Sequence, residues 1–460
     1  MTILNAIYVA AAVIALFGAA IFVHEFGHFI AARLCGMKVE AFAIGFGPKL
    51  VKWVRAGVEY SIRLFPAGGF VRLPQMGPIA AFEGSSDSAG HMPPAPALAK
   101  IIVSLAGPAM NLVFAFVVGT VVWIVGLPEA VNPPIIGYVE PESEEARLGI
   151  MPGDKIVMVD GRKVHSWQEV HEVTALARTN ILPVVIERAG VQTTYHLRAV
   201  YNETIGLKLL QLEPSDHPEI LEVKPNSAAE AAGLKVGDKV LAFAGVPIAG
   251  REQLVKLIEQ RPDQPTEIKI ERDNKKLMLV VKPIRDPVSG KGRLGVLLGP
   301  STTQVYVLKR PGPAPWIQLR DSLGMTLRVL GALIHSKQTG VGPSDLSGPV
   351  GIIAVLAAQV NTDLRLALRF FVLLSAGLAV INLLPLPVLD GGHILFALVE
   401  KLRGRPLNAK FVEYTYTAFA ALLIGFMLYV TVFDFKRLPL FGSWLKTKAK
   451  IEQAEPAPPK

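Results

Sequence analysis

Charge is what this chain has least of. Only 18% of its 460 residues are charged against 51% hydrophobic, and the apolar residues come in clusters, the profile of a membrane protein carrying soluble parts. Met1 to Val23 contains no charged residue. The single cysteine, Cys35, excludes an intramolecular disulfide framework and a multi-cysteine zinc site. Lysine and arginine number 47 against 38 acids, a formal net charge of +9. They form no run that would argue for nucleic acid, and positive charge flanking a membrane is the simpler reading. The first apolar segment lacks a charged n-region and is too long for a cleaved signal peptide, so it reads as a retained span.

Four segments are long and apolar enough to cross a bilayer: Ile3 to Ala32, Ile101 to Leu127, Phe370 to Leu389 and Tyr414 to Phe433. The transmembrane helices are assigned to residues 1–34, 98–127, 370–392 and 412–434. The loop after the first span carries Arg33, Lys38, Lys49, Lys52, Arg55, Arg63 and Arg72, and Lys401, Arg403, Arg405 and Lys410 follow the third. Both loops are therefore expected on the cytoplasmic side, and the long region between spans two and three outside. The basic tail, with Lys436, Arg437, Lys446, Lys448 and Lys450, runs against this rule.

In the loop 35–97, Val58, Tyr60, Ile62 and Leu64 alternate with polar residues, Pro66 to Gly69 is turn chemistry, and Phe70 to Leu73 resumes extended character. This predicts a β-hairpin. Pro74 to Ala97, rich in Pro, Gly, Ser and Ala, reads as a loose loop. Between spans two and three the chain repeats. Val139–Ser143 and Leu148–Asp154 match Val223–Ser227 and Ala232–Asp238 at a constant offset of 84 residues. Each copy continues into a strand, a Gly turn, an amphipathic helix (Trp167 to Ala177; Arg251 to Gln260) and another strand. The pattern S-x-A-x-x-A-G-L-x-x-G-D resembles bacterial PDZ domains, which bind peptides by adding a strand to a sheet edge. The two units are placed at 128–212 and 213–300. Residues 301–369 form a linker in which Pro315 to His335 is amphipathic, suited to a membrane surface or to packing on the repeats. Residues 435–460 read as a basic, disordered tail.

The chemistry concentrates in His24-Glu25-Phe26-Gly27-His28. H-E-x-x-H on a helix sets two imidazoles on one face, able to hold zinc, with the glutamate placed to act as general base. A surface helix with satisfied histidines is the plain alternative, and it fits badly inside a span. A hydrolytic zinc site needs a third ligand. In the stretch Ile381 to His393, Asp390 and His393 are both eligible, and the two glycines after Asp390 allow close approach.

H-E-F-G-H, together with Asn382-x-x-Pro385-x-x-x-x-Asp390-Gly391-Gly392, Gly107-Pro108-Ala109-Met110-Asn111 and Leu346 to Ile352, resembles the site-2 protease family of intramembrane zinc metalloproteases. The PDZ pair resembles its regulator of sigma-E protease branch. The resemblance implies one zinc ion per chain, bound by His24, His28 and Asp390. It makes Glu25 the catalytic base and Asn382 a substrate-binding residue, and makes the hairpin a membrane-reentrant guide for substrate. The expected fold is a polytopic α-helical membrane protein with four transmembrane helices, a membrane-associated β-hairpin region and two tandem PDZ-like α+β domains. The expected activity is endoproteolysis within the membrane, in a bacterial inner membrane, with the PDZ units periplasmic and the active site towards the cytoplasm. Substrates would be single-span proteins such as an anti-sigma factor after a first outer cut, or remnant signal peptides, and the PDZ units could take peptide C-termini. Two rival classes are a membrane-anchored PDZ adaptor with a structural metal and a metal transporter. The single concentrated motif and the large insert argue against the transporter.

Overall fold

The computed structural model describes residues 3–76, 93, 95–130, 132–141, 143–202, 207–215, 217–272, 275–299, 305–405, 407–446 and 450–453. They divide into two units, one of residues 1–128, 308–328 and 346–445, the other of 129–307, 329–345 and 446–460. In chain order the named elements are α1 (Ile3–Leu34), β1 (Ala41–Arg55), β2 (Val58–Arg72), α2 (Ala97–Val125), α3 (Glu144–Arg147), β3 (Lys155–Val159), α4 (Trp167–Leu176), β4 (Ile181–Arg188) and β5 (Val191–Asn202). There follow α5 (Ala228–Ala231), β6 (Lys239–Phe243), α6 (Arg251–Glu259), β7 (Thr266–Arg272), β8 (Lys275–Val281), α7 (Pro315–Ile334), α8 (Pro349–Thr362), α9 (Leu364–Asn382), α10 (Asp390–Arg403) and α11 (Ala409–Lys446).

Five helical segments among the described residues are long and apolar enough to cross a membrane, where the sequence predicts four. The additional segment is Pro343–Thr362. Its regular part, α8, has 14 residues. Leu356 and Val360 of α8 pack against Val9 and Val13 of α1. The start of α8 is held by Asp434, fully buried on α11, which accepts from the backbone N–H of Gly348 (3.1 Å) and Gly351 (2.8 Å). A carboxylate there offsets the unpaired amides of a helix start.

Three expected boundaries move. The third span, predicted over 370–392, is the helix α9, Leu364–Asn382. It begins earlier because the Asp363 side chain caps it through the N–H of Arg365. It ends at Asn382 because Pro385 and Pro387 follow, and proline cannot donate to a helix and disfavours a helical residue before it. The fourth, predicted to stop at 434, continues to Lys446. Residues 435–446 are rich in Phe, Leu and Trp, a composition unlike that of a disordered tail. Residues 450–453 form a strand, and the remainder of the tail lies outside the described residues.

The hairpin is also built differently. β1, which the sequence reading missed, separates the two segments expected to pair with each other. Ala41–Ile44 lie between Glu59–Ile62 on one side and Gly69–Arg72 on the other. Gly45 and Gly47 at positive φ interrupt the alternation that would have marked β1 as a strand. The expected loose loop begins with a 3-10 turn, Pro74–Met76, and most of it lies outside the described residues. The first half of α7 packs on other helices of its unit. Leu319 joins Ala20, Ala115 and Phe371, and buried Gln318 donates to the carbonyl of Gly119 (2.9 Å).

The second unit holds two α+β modules of one build. Ser143 and Ser227 cap α3 and α5 through the amides of Ala146 and Glu230. Each module then forms a strand, a helix and a strand pair: β3, α4, β4 and β5 in the first, β6, α6, β7 and β8 in the second. Each has its own core, around Ile156, Leu182 and Leu197 in one and Val240, Phe243 and Ile268 in the other. A shared device locks both. Arg188 Nε donates to Asp154 Oδ1 (2.6 Å) and its guanidinium to the carbonyl of Gly149 (2.7 Å). Arg272 does the same with Asp238 (2.6 Å) and Gly233 (2.8 Å). Neither arginine stands out in the sequence, because the aspartates sit in the repeated motif and their partners 34 residues away.

Replacing Arg272 by Met takes the charged partner from the buried Asp238 carboxylate, leaving it the backbone N–H of Lys235, and should cost about 2–3 kcal/mol of stability in this module. The bonds from Arg188 hold the Asp154 carboxyl below its usual range, against the opposing effect of burial. A carboxylate with a lowered folded-state pKa stabilises the fold above its unfolded value, near 4, and that contribution disappears as pH falls through the folded value. Arg188→Met should therefore lower the unfolding temperature at pH 7, with the gap from wild type closing as the pH drops below about 4. Thermal unfolding of the purified protein at stepped pH checks both.

Candidate metal centre

The four-residue spacing of His24 and His28 places both rings on one face of α1, with ring centroids 4.8 Å apart. That face meets α2 at unusually close range. A Cβ on Gly27 would lie 2.4 Å from the Ala106 carbonyl oxygen, and one on Gly107 would lie 2.3 Å from His28 Nε2 and 2.8 Å from His24 Cε1. Small residues are what allow helices to approach this way. Asp390 arrives as the first residue of α10. Its helix can start there because Gly391 and Gly392 pack against the carbonyls of Leu384 and Leu386, where a Cβ would have 2.2–2.3 Å. Lys100 of α2 ties α10 down through Glu400, at 2.8 Å.

These three side chains meet. His24 Nε2 lies 3.2 Å from His28 Nε2, and Asp390 oxygens lie 3.4 Å and 3.3 Å from them. They are the one His/Cys/Asp/Glu group among the described residues with ligand atoms within 4.8 Å of one another. Tetrahedral zinc with bonds of about 2.05 Å needs ligand atoms about 3.3 Å apart. The donor set and spacing fit, with one tetrahedral position left over. The far nitrogen of His28 is also settled: Nδ1 lies 2.8 Å from the Val103 carbonyl, which can only accept, so Nδ1 carries the proton and Nε2 presents its lone pair. Pro108 sits inside α2 and gives no N–H to Ser104, which loosens the turn next to Val103.

A cavity of about 330 Å³ opens on the three residues. Glu25, buried beside His24, and Asn382, the last residue of α9, both line it. So do Gly69, Phe70 and Val71 of β2. Gly69 passes so close that a Cβ would lie 2.8 Å from Glu25 Cγ. His393 lines the cavity as well, but its Nδ1 is bonded to Tyr416 Oη at 2.9 Å, apart from the three-residue group. Sequence reasoning missed Val103 and Tyr416 and assigned no role to Gly107 or Asn111. Val103, Gly107 and Asn111 share one face of α2 by their spacing of four, and a lone asparagine in an uncharged span was the available signal.

Apolar helices, a cavity at their centre and a His-His-Asp group with a glutamate beside it define a membrane zinc metalloprotease. Comparison with known proteins identifies its lineage. The profile of peptidase family M50 matches residues 12–426, and the chain belongs to that family, the site-2 proteases. It is 32% identical to the regulator of sigma-E protease RseP of Salmonella typhimurium strain 14028s, over 93% of this chain and 98% of the relative. It is 32% identical to the protease RseP of Yersinia pestis, at the same coverage. The regulator of sigma-E protease RseP of Escherichia coli K12 is 30% identical over 92% of this chain and 97% of its own length.

Gly107→Ala should be far more damaging than its size suggests, because the added methyl displaces both histidine rings. The expected result is loss of most bound zinc, read by metal analysis, with helix content by circular dichroism retained.

Proposed function

We propose that this chain is an intramembrane endopeptidase in which His24, His28 and Asp390 hold one zinc ion, Glu25 is the catalytic base and Asn382 engages the substrate backbone. The observation that carries the reading is the convergence of those five residues on one cavity, beside a strand of the hairpin sheet. Zinc in that position would polarise a scissile carbonyl and lower the pKa of a water molecule. Glu25 receives the proton of the attacking water and can return it to the leaving amine. A transmembrane helix hides its peptide bonds in its own hydrogen bonds, so cleavage requires it to unwind. The Gly69–Arg72 strand pairs with β1 on one side; an extended substrate added on the other would find partners for its freed amides. Asn382, where α9 breaks, offers an amide for the same purpose.

The substrate class is supported by relatives that carry the name regulator of sigma-E protease. Single-span proteins of the anti-sigma-factor type, already shortened outside, suit this site, and remnant signal peptides have the same chemistry. The α+β modules are read as tandem PDZ domains on the periplasmic side of a bacterial inner membrane, screening bulky outer domains or taking peptide C-termini. The active site would face the cytoplasmic side, following the basic loops after the first and third spans.

Glu25→Gln should abolish cleavage of a model single-span substrate by the detergent-purified protein while zinc stays bound. Asp390→Ala should reduce zinc content, and His393→Ala should leave it unchanged. Full cleavage by Glu25→Gln, or zinc lost only with His393→Ala, would overturn the assignment.

A further inference from the structure

The two histidines of the metal centre must each expose the lone pair of Nε2, which requires the proton on Nδ1 and an acceptor for it. His28 has the Val103 carbonyl. For His24 the group in reach is the side chain of Asn111, whose amide lies 3.1 Å from Nδ1. Asn111 is completely buried on α2, one helical turn beyond Gly107, the residue on which both rings rest. In the orientation shown, the amide nitrogen faces Nδ1 and the oxygen Oδ1 is buried without a partner among the described residues. That arrangement suits the other tautomer, with the proton on Nε2, where it would block a metal ion. A half-turn of the amide exchanges the two ends without moving any other atom. It brings Oδ1 to Nδ1 and leaves the number of unpaired ends unchanged.

From this geometry we infer that Asn111 is a positioning residue for the metal centre: its carbonyl accepts the Nδ1 proton of His24 and so holds His24 in the tautomer that binds zinc. The inference rests on the His24, His28 and Asp390 reading given above. It assigns two unlike acceptors to two like ligands, a backbone carbonyl for His28 and a side-chain amide for His24, both from one face of α2. The asymmetry makes the His24 arm the one that a point substitution can uncouple.

The test is zinc affinity of the full-length protein in detergent, by competition with a chelator of known affinity. Asn111→Leu keeps the volume and removes the acceptor, and should weaken zinc binding about 10–100-fold. Asn111→Asp keeps an acceptor and should stay within about 3-fold of wild type. Equal affinity for Asn111→Leu and wild type would overturn the inference, as would an Asn111→Asp protein as weak as Asn111→Leu. The second readout is ¹⁵N-histidine NMR of the zinc-loaded wild type, which requires no variant to fold: a protonated Nδ1 on His24 supports the role, and an unprotonated one refutes it. Asp390→Ala in an otherwise unchanged chain separates the two levels. Zinc unaffected by that change removes the site reading itself, whereas zinc lost there but unmoved by Asn111→Leu removes only the role of Asn111.

Discussion

Close approach of α2 to α1 is the condition on which the site depends. Two glycines make it possible, Gly27 against the backbone of α2 and Gly107 beneath the imidazoles of α1. Hydrophobic burial cannot drive such contact in an apolar medium, since lipid tails solvate apolar side chains as well as another helix does. What holds the helices together there is tight packing and polar bonds that have no aqueous alternative. The Val103 carbonyl on His28, the Asn111 amide beside His24 and the Lys100–Glu400 pair all cross between α2 and its neighbours. A His-His-Asp group built this way is assembled by the packing of the helices rather than by any one of them.

The same constraint explains the broken third span. A continuous helix through residues 383–389 would carry Asp390 further along the α9 axis. Ending at Asn382 and restarting at Asp390 turns the chain, and the two glycines let the turn close against its own carbonyls. Irregular backbone at membrane depth is tolerated where it lines a protein cavity, and here it does. The break also leaves Asn382 facing the cavity that Glu25 and β2 share, so one interruption brings Asp390 to the histidine pair and Asn382 to the same cavity.

Much of this was legible beforehand. Charge-free runs separated by basic loops marked the spans, the constant 84-residue offset marked the paired modules, and H-E-x-x-H marked the centre. Legibility failed where the deciding interaction was distant. Asp434 caps a helix more than eighty residues earlier, and α8, which the sequence reading left in the linker, packs on α1. β1 was hidden by its own glycines. Arg188 and Arg272, ordinary surface-type residues in the sequence, are anchors of buried aspartates.

By itself the sequence determined the local chemistry: two histidines one helical turn apart with a glutamate between them, an aspartate after a proline-broken span, and a repeat with capped helices and positive-φ glycines. These follow from spacing and backbone preference, which act over a few residues. Tertiary structure alone decided which strand of the hairpin sheet lies against Glu25 and which groups face the far side of each imidazole, and it set Asp390 rather than His393 beside the histidine pair, a choice that the family motif implied but local chemistry left open. Those outcomes depend on distances of a few ångströms between residues dozens to hundreds of positions apart, and no local preference encodes them.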